Sequence, residues 1–134
     1  MNLSTLNLWA ILTATVSAFV LGGLWYSPVL FHKAWVRANR FENDQPPAPK
    51  ASVFVFSFIL SLVMAFNLAM FLNDAKTNLS WGATAGFLAG FGWAAMGLAI
   101  VSLFERRSLA YMLINGGYLT VALTLMGAIL GVWR

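Results

Sequence analysis

The sequence contains no cysteine. Disulfides, thiolate metal sites and a cysteine nucleophile are thereby excluded, and the redox compartment stays undetermined. Histidine occurs once, as His32, and there are four acidic residues, Glu42, Asp44, Asp74 and Glu105. General acid–base chemistry needs a placed acid or base, and a metal site needs clustered ligands. All four carboxylates fall in polar stretches between apolar runs, and no histidine–glutamate cluster exists. Gly116-Gly117 is too little glycine for a phosphate loop. The expectation is a protein that is not an enzyme, with no catalytic residues, no metal and no cofactor. Charge is scarce as well: 9% of the 134 residues, against about 25% in a soluble domain.

What is present is apolar surface. Hydrophobic residues make up 60% of the chain, more than a soluble chain this short can hide, so lipid is the expected solvent. A net charge of +4 would suit nucleic acid if it formed a patch. The basic residues are few and sit at the ends of apolar runs, so no nucleic-acid partner is expected. A helix needs about 20 apolar residues to cross the hydrocarbon. Four segments meet that requirement, Leu6–Tyr26, Ala51–Asn73, Trp81–Phe104 and Leu109–Trp133, and none contains a charged side chain. The first charged side chain is Lys33, so the N-terminal run lacks the basic n-region of a signal peptide and is expected to stay as a helix. The predicted fold is all-α: a single transmembrane domain, built as an integral membrane four-helix bundle.

The linkers orient the bundle. Ser27–Lys50 carries Lys33, Arg37, Arg40 and Lys50, and Glu105–Ser108 carries Arg106 and Arg107. The opposite side holds Lys76 and Arg134, so the bias is six basic side chains against two. The positive-inside rule then makes the first and third linkers cytoplasmic and puts both termini outside. This fits a bacterial inner membrane. Membrane lipids are the expected partners.

The stretch GGLWYSPVLFHKAWVR, Gly22 to Arg37, closes the first span. Trp25 and Tyr26 are amphipathic rings where interfacial aromatics belong. Ser27-Pro28 reads as an N-cap with proline at the first helical position, predicting a helix over 28–40. Phe31, Trp35 and Ala38 lie on one face, and Lys33, Arg37 and Arg40 on another, about 200° around. A short amphipathic helix in the cytoplasmic interface is expected, its basic face on anionic headgroups. The other reading is that Phe31 and Trp35 cap the bundle.

The pattern Gly22-x-x-Trp25-Tyr26-Ser27-Pro28-x-x-Phe31-x-x-x-Trp35 resembles the signature at the end of the first helix in the DUF1761 family. Those are small, uncharacterised membrane proteins with about four predicted spans. The resemblance extends over the whole chain in length and span count. It implies a fold and no reaction.

Between spans, small residues must do the packing, because lipid tails are as apolar as leucine. Small residues recur at i+4 in every span: Ala10, Ala14, Ala18 and Gly22; Ser57, Ser61, Ala65 and Ala69; Gly82, Gly86, Gly90 and Ala94; Gly116, Thr120, Thr124 and Ala128. The third stripe is a double GxxxG. Asn67 points away from its stripe, and a carboxamide facing lipid is unfavourable. Either Asn67 meets a second subunit or the stripe of the second span is itself the subunit contact, and both readings predict a homo-oligomer.

Tyr111, Asn115 and Tyr118 share one face of the fourth span, at the depth of Tyr26. These four form the candidate polar or ligand site. Interhelical hydrogen bonding that fixes helix rotation is the plainer reading. His32 is either a pH-sensitive group or a headgroup contact. Glu105-Arg106-Arg107 reads as a lipid-binding turn or a topological anchor, and Arg134 as an end anchor. No ionisable residue lies within a span, which disfavours a proton-coupled carrier. Two functions remain: a structural or accessory protein binding lipid or a membrane protein partner, and an oligomeric channel or facilitator lined by Ser57, Ser61, Thr120, Thr124 and Asn115.

Overall fold

The computed structural model describes residues 2–134. Those residues form five helices and no strand: α1 (Leu8–Trp25), α2 (His32–Asn39), α3 (Ala51–Phe71), α4 (Leu79–Phe104) and α5 (Leu109–Val132). All but α2 are long and apolar enough to cross a membrane, and their ends lie within two residues of the apolar runs. The starts have local causes. The side chains of Asn7, Asn78 and Ser108 accept the backbone N–H of Ala10, Trp81 and Tyr111, satisfying donors that a helix N-terminus leaves free.

Helix α5 is central. Its main neighbours are α4 and α1, while α3 packs on α1 and touches α5 only lightly. Helix α2 lies against α5. The shared core is small-sided: Ala10, Ile11, Ala14 and Ala18 of α1, Ala65, Leu68 and Ala69 of α3, and Ala122, Leu123, Met126 and Leu130 of α5. The first half of α3 is outside it. Val53, Phe54, Val55 and Phe56 are all exposed, and Phe19 of α1 anchors this half through edge contacts to Phe54 and Phe58.

The closest approach is between α4 and α5. A Cβ added at Gly82 would run into the Gly127 carbonyl oxygen, and one at Gly86 into that of Leu123. At Gly90 it would lie 2.7 Å from the Thr120 Cα. Glycine here lets two backbones touch, which is how small residues substitute for the missing hydrophobic drive in lipid.

The structure departs from the spacing in four places. On α5 the contact face does not run to Ala128. It passes from Gly116, Thr120 and Thr124 to Gly127 and Gly131, because each four-residue step overshoots a helical turn by about 40°. On α4 the inward residue after Gly90 is the buried Ala95, whereas Ala94 is partly exposed. The cause is a π-helical stretch, Leu88–Ala95, where hydrogen bonds run over five residues and the face advances accordingly. On α3 the stripe is buried only at Ala65 and Ala69, and Ser57 is exposed, since that half meets α1 through Phe54 and Phe58 rather than through the stripe. Finally, α2 begins at His32 with Phe31 as its N-cap. Ser27 and Pro28 form a turn in which the Ser27 carbonyl accepts the N–H groups of Leu30 and His32.

Candidate functional site

The residues of the Trp-Tyr-Ser-Pro stretch meet α5 at the end of the bundle where α2 lies. Helix α1 delivers Trp25 and Tyr26 as it ends. The Trp25 indole Nε1–H donates to the Ile114 carbonyl at 2.9 Å. The Tyr26 hydroxyl donates to Asn115 Oδ1 at 2.7 Å. One turn further along, the Tyr118 hydroxyl donates to the Ala18 carbonyl at 3.0 Å. The Tyr26 and Tyr118 rings meet edge-on, 5.6 Å between centroids. Two glycines make room. A Cβ at Gly22 would sit 3.2 Å from the Tyr118 hydroxyl oxygen, and one at Gly117 would sit 3.1 Å from Trp25 Cζ2.

Helix α2 closes the cluster from above. Trp35 packs on Tyr26 at 5.9 Å and on Phe41 at 5.4 Å, and Phe31 lies on Trp25 at 4.7 Å. Val36 and Ala38 are buried. Trp35 thus sits on Tyr26 at the end of the bundle and Phe31, although exposed, leans on Trp25, while Lys33, Arg37 and Arg40 are exposed. His32 Nδ1 lies 3.2 Å from the Tyr26 carbonyl oxygen. Tyr111 carries the Arg107 guanidinium over its ring at 4.9 Å, and Arg107 also pairs with Glu105 at 3.5 Å. Of the predicted polar group, Tyr26, Asn115 and Tyr118 come together as a set of interhelical hydrogen bonds and ring contacts.

No curated protein and no solved structure matches the chain. A family model does match, over residues 9–131, and its description is a protein of unknown function, DUF1761. The chain belongs to the DUF1761 family. The matched residues include the whole junction of Trp25, Tyr26, Trp35, Asn115 and Tyr118, so the junction belongs to the family-matched part of this DUF1761 chain.

Asn67 is exposed on α3, turned away from the buried Ala65 and Ala69 as its spacing requires. A feature that sequence reasoning missed lies at the far end of the DUF1761 bundle. There a cavity of about 340 Å³ sits among the start of α1, the end of α3 and the end of α5. Arg134, expected only to anchor the chain end, borders it. Its guanidinium donates to the carbonyls of Leu72 at 2.7 Å and Asp74 at 2.8 Å. A cation at the carbonyl end of α3 is favoured by the helix dipole. Two asparagines and a threonine reinforce this end: the Thr5 hydroxyl donates to Asn73 Oδ1, and Asn73 Nδ2 donates to the Asn2 carbonyl. No spacing rule links residues this far apart in the chain, so the sequence carried no signal for it.

Proposed function

We propose that this DUF1761 protein is a non-catalytic structural or accessory component of a membrane, binding lipid or a membrane protein partner. The observation that carries the reading is the junction of α1, α2 and α5, where the polar side chains within the spans turn on one another. Tyr26 satisfies Asn115, Tyr118 satisfies a backbone carbonyl, and Trp25 does the same. Such groups hold helices in fixed rotation, at roughly 0.6 kcal/mol per contact in membranes. The close backbone approach of α4 and α5 supports the same reading, since it leaves no space for a path between them. The hydroxyls that would line a pore bond back to their own helices: Ser57 to Val53, Thr120 to Gly116 and Thr124 to Thr120.

In this reading the basic side chains of the first and third linkers face the cytoplasm, both termini face outward, and a bacterial inner membrane is the site of residence. A homo-oligomer through the open face of α3 around Asn67 is part of the proposal, because an unpartnered carboxamide in a span gains from a second copy. The test is reconstitution into liposomes with entrapped ions and small neutral solutes. Release no faster than from protein-free vesicles is expected. Release that is protein-dependent and lost in Asn115→Leu would replace this reading with a channel.

A further inference from the structure

The cavity at the end opposite α2 has the composition of an amphiphile site. Its floor is apolar, with Leu6, Ala69 and Leu130, and its rim carries Asn7, Trp133 and Arg134. The rim is rich in donors. A guanidinium has five N–H groups, and Arg134 commits one to Leu72 and one to Asp74. Arg107 pairs with Glu105, and Arg134 makes no ion pair with Asp74 or another side-chain carboxylate among the described residues. Asn7 uses its carbonyl oxygen to cap α1, which leaves its amide N–H groups. Trp133 adds an indole at the edge of the span. Acceptors stand beside them: the Asp74 carboxylate, with one oxygen taken by the Lys76 N–H, and the Thr5 and Asn73 side chains, which bond to each other. Volume and lining suit a small ligand with an apolar part, and a fixed guanidinium suits a phosphate.

We propose that this cavity binds a phosphate ester whose anionic centre meets Arg134 and whose neighbouring hydroxyl or ammonium meets Asp74. The chemistry is that of a phospholipid headgroup or of a free phosphate monoester. The inference deepens the lipid-binding side of the proposed function and rests on it. Asn7, Trp133 and Arg134 lie outside residues 9–131 matched by the family model, and Ala69, Asp74 and Leu130 lie inside them.

The test is native mass spectrometry of the full chain released from nanodiscs of phosphatidylglycerol and phosphatidylethanolamine. The chain itself, Arg134→Gln, Ala75→Phe and a Gly97→Ala control, at a position where an added Cβ meets nothing within 4 Å, are compared. Ala75 is exposed at the cavity mouth, so its phenylalanine blocks entry without touching the guanidinium. One tightly retained lipid is expected, with retention reduced at least ten-fold in Arg134→Gln and in Ala75→Phe and unchanged in the control. A second arm adds glycerol 3-phosphate to delipidated protein in detergent. A mass increment there that Arg134→Gln abolishes, with no retained lipid in the first arm, assigns the site to a free phosphate ester. Equal retention in all variants, or no adduct in either arm, overturns the proposal. Solute flux is a separate readout, so failure here is distinguishable from failure of the accessory-protein reading.

Discussion

At the scale of single residues, the glycines of α4 divide by what they face. Gly86 has the Leu123 carbonyl where its Cβ would go, whereas Gly97 has nothing within 4 Å. Both sit on one helix and look alike in a composition count. Gly86→Ala is expected to destabilise the protein by about 1–3 kcal/mol, the range for overpacking a closed contact. Gly97→Ala is expected to lose nothing and to gain up to about 1 kcal/mol from helix propensity. Thermal unfolding in micelles, followed by circular dichroism, reads both. Equal melting of the two variants would mean that α4 and α5 are not in backbone contact. The double GxxxG motif makes Gly82, Gly86 and Gly90 legible in the sequence, because the motif encodes the close approach itself. The partner surface on α5 is only half legible there, since Gly127 and Gly131 break the simple four-residue spacing.

At the scale of the element, the π-helical stretch in α4 decides which residues look inward. From Gly90 to Ala95 the helix advances five residues, while α5 advances four from Gly116 to Thr120 on the facing side. A straight α-helix would present Ala94. The chain has no native cysteine, so paired cysteines report the register directly. Gly116→Cys with Ala95→Cys is expected to form a disulfide under mild oxidation, because a Cβ at 116 lies 3.2 Å from that of Ala95, close to disulfide range. Gly116→Cys with Ala94→Cys is expected to stay reduced. The reverse pattern would remove the π stretch. Hydrophobic periodicity does not reveal such a stretch, since LAGFGWAA is apolar on every side.

For the whole molecule, the distribution of charge and the placement of α2 set how the bundle meets its membrane. The basic side chains Lys33, Arg37 and Arg106 are exposed at the end where α2 lies, and Lys76 is exposed at the other. Single cysteines at Lys33 and at Arg106 are expected to share one labelling side in intact bacterial cells, protected from a membrane-impermeant maleimide. A cysteine at Lys76 is expected to react. Protection at 76 with reaction at 33 would invert the proposed orientation and move the far-end cavity to the cytoplasmic leaflet.

The class of fold is written in the chain itself. Four uncharged apolar runs, three of them started by asparagine or serine caps and all separated by polar linkers, admit four spanning helices in lipid, because every backbone polar group must be satisfied within the helix. The common depth of Tyr26, Asn115 and Tyr118 is written there too, since helical rise converts spacing into height. That these three close on one another, that Trp35 sits on Tyr26, and that the first half of α3 stays open follow from packing. Those outcomes depend on which helices are neighbours, and neighbours are chosen by close packing of small residues, glycine between α4 and α5 and alanine among α1, α3 and α5, rather than by apolarity, which all four spans share. The cavity beside Arg134 belongs to the same class: its walls come from three chain segments that meet only after α1, α3 and α5 have packed.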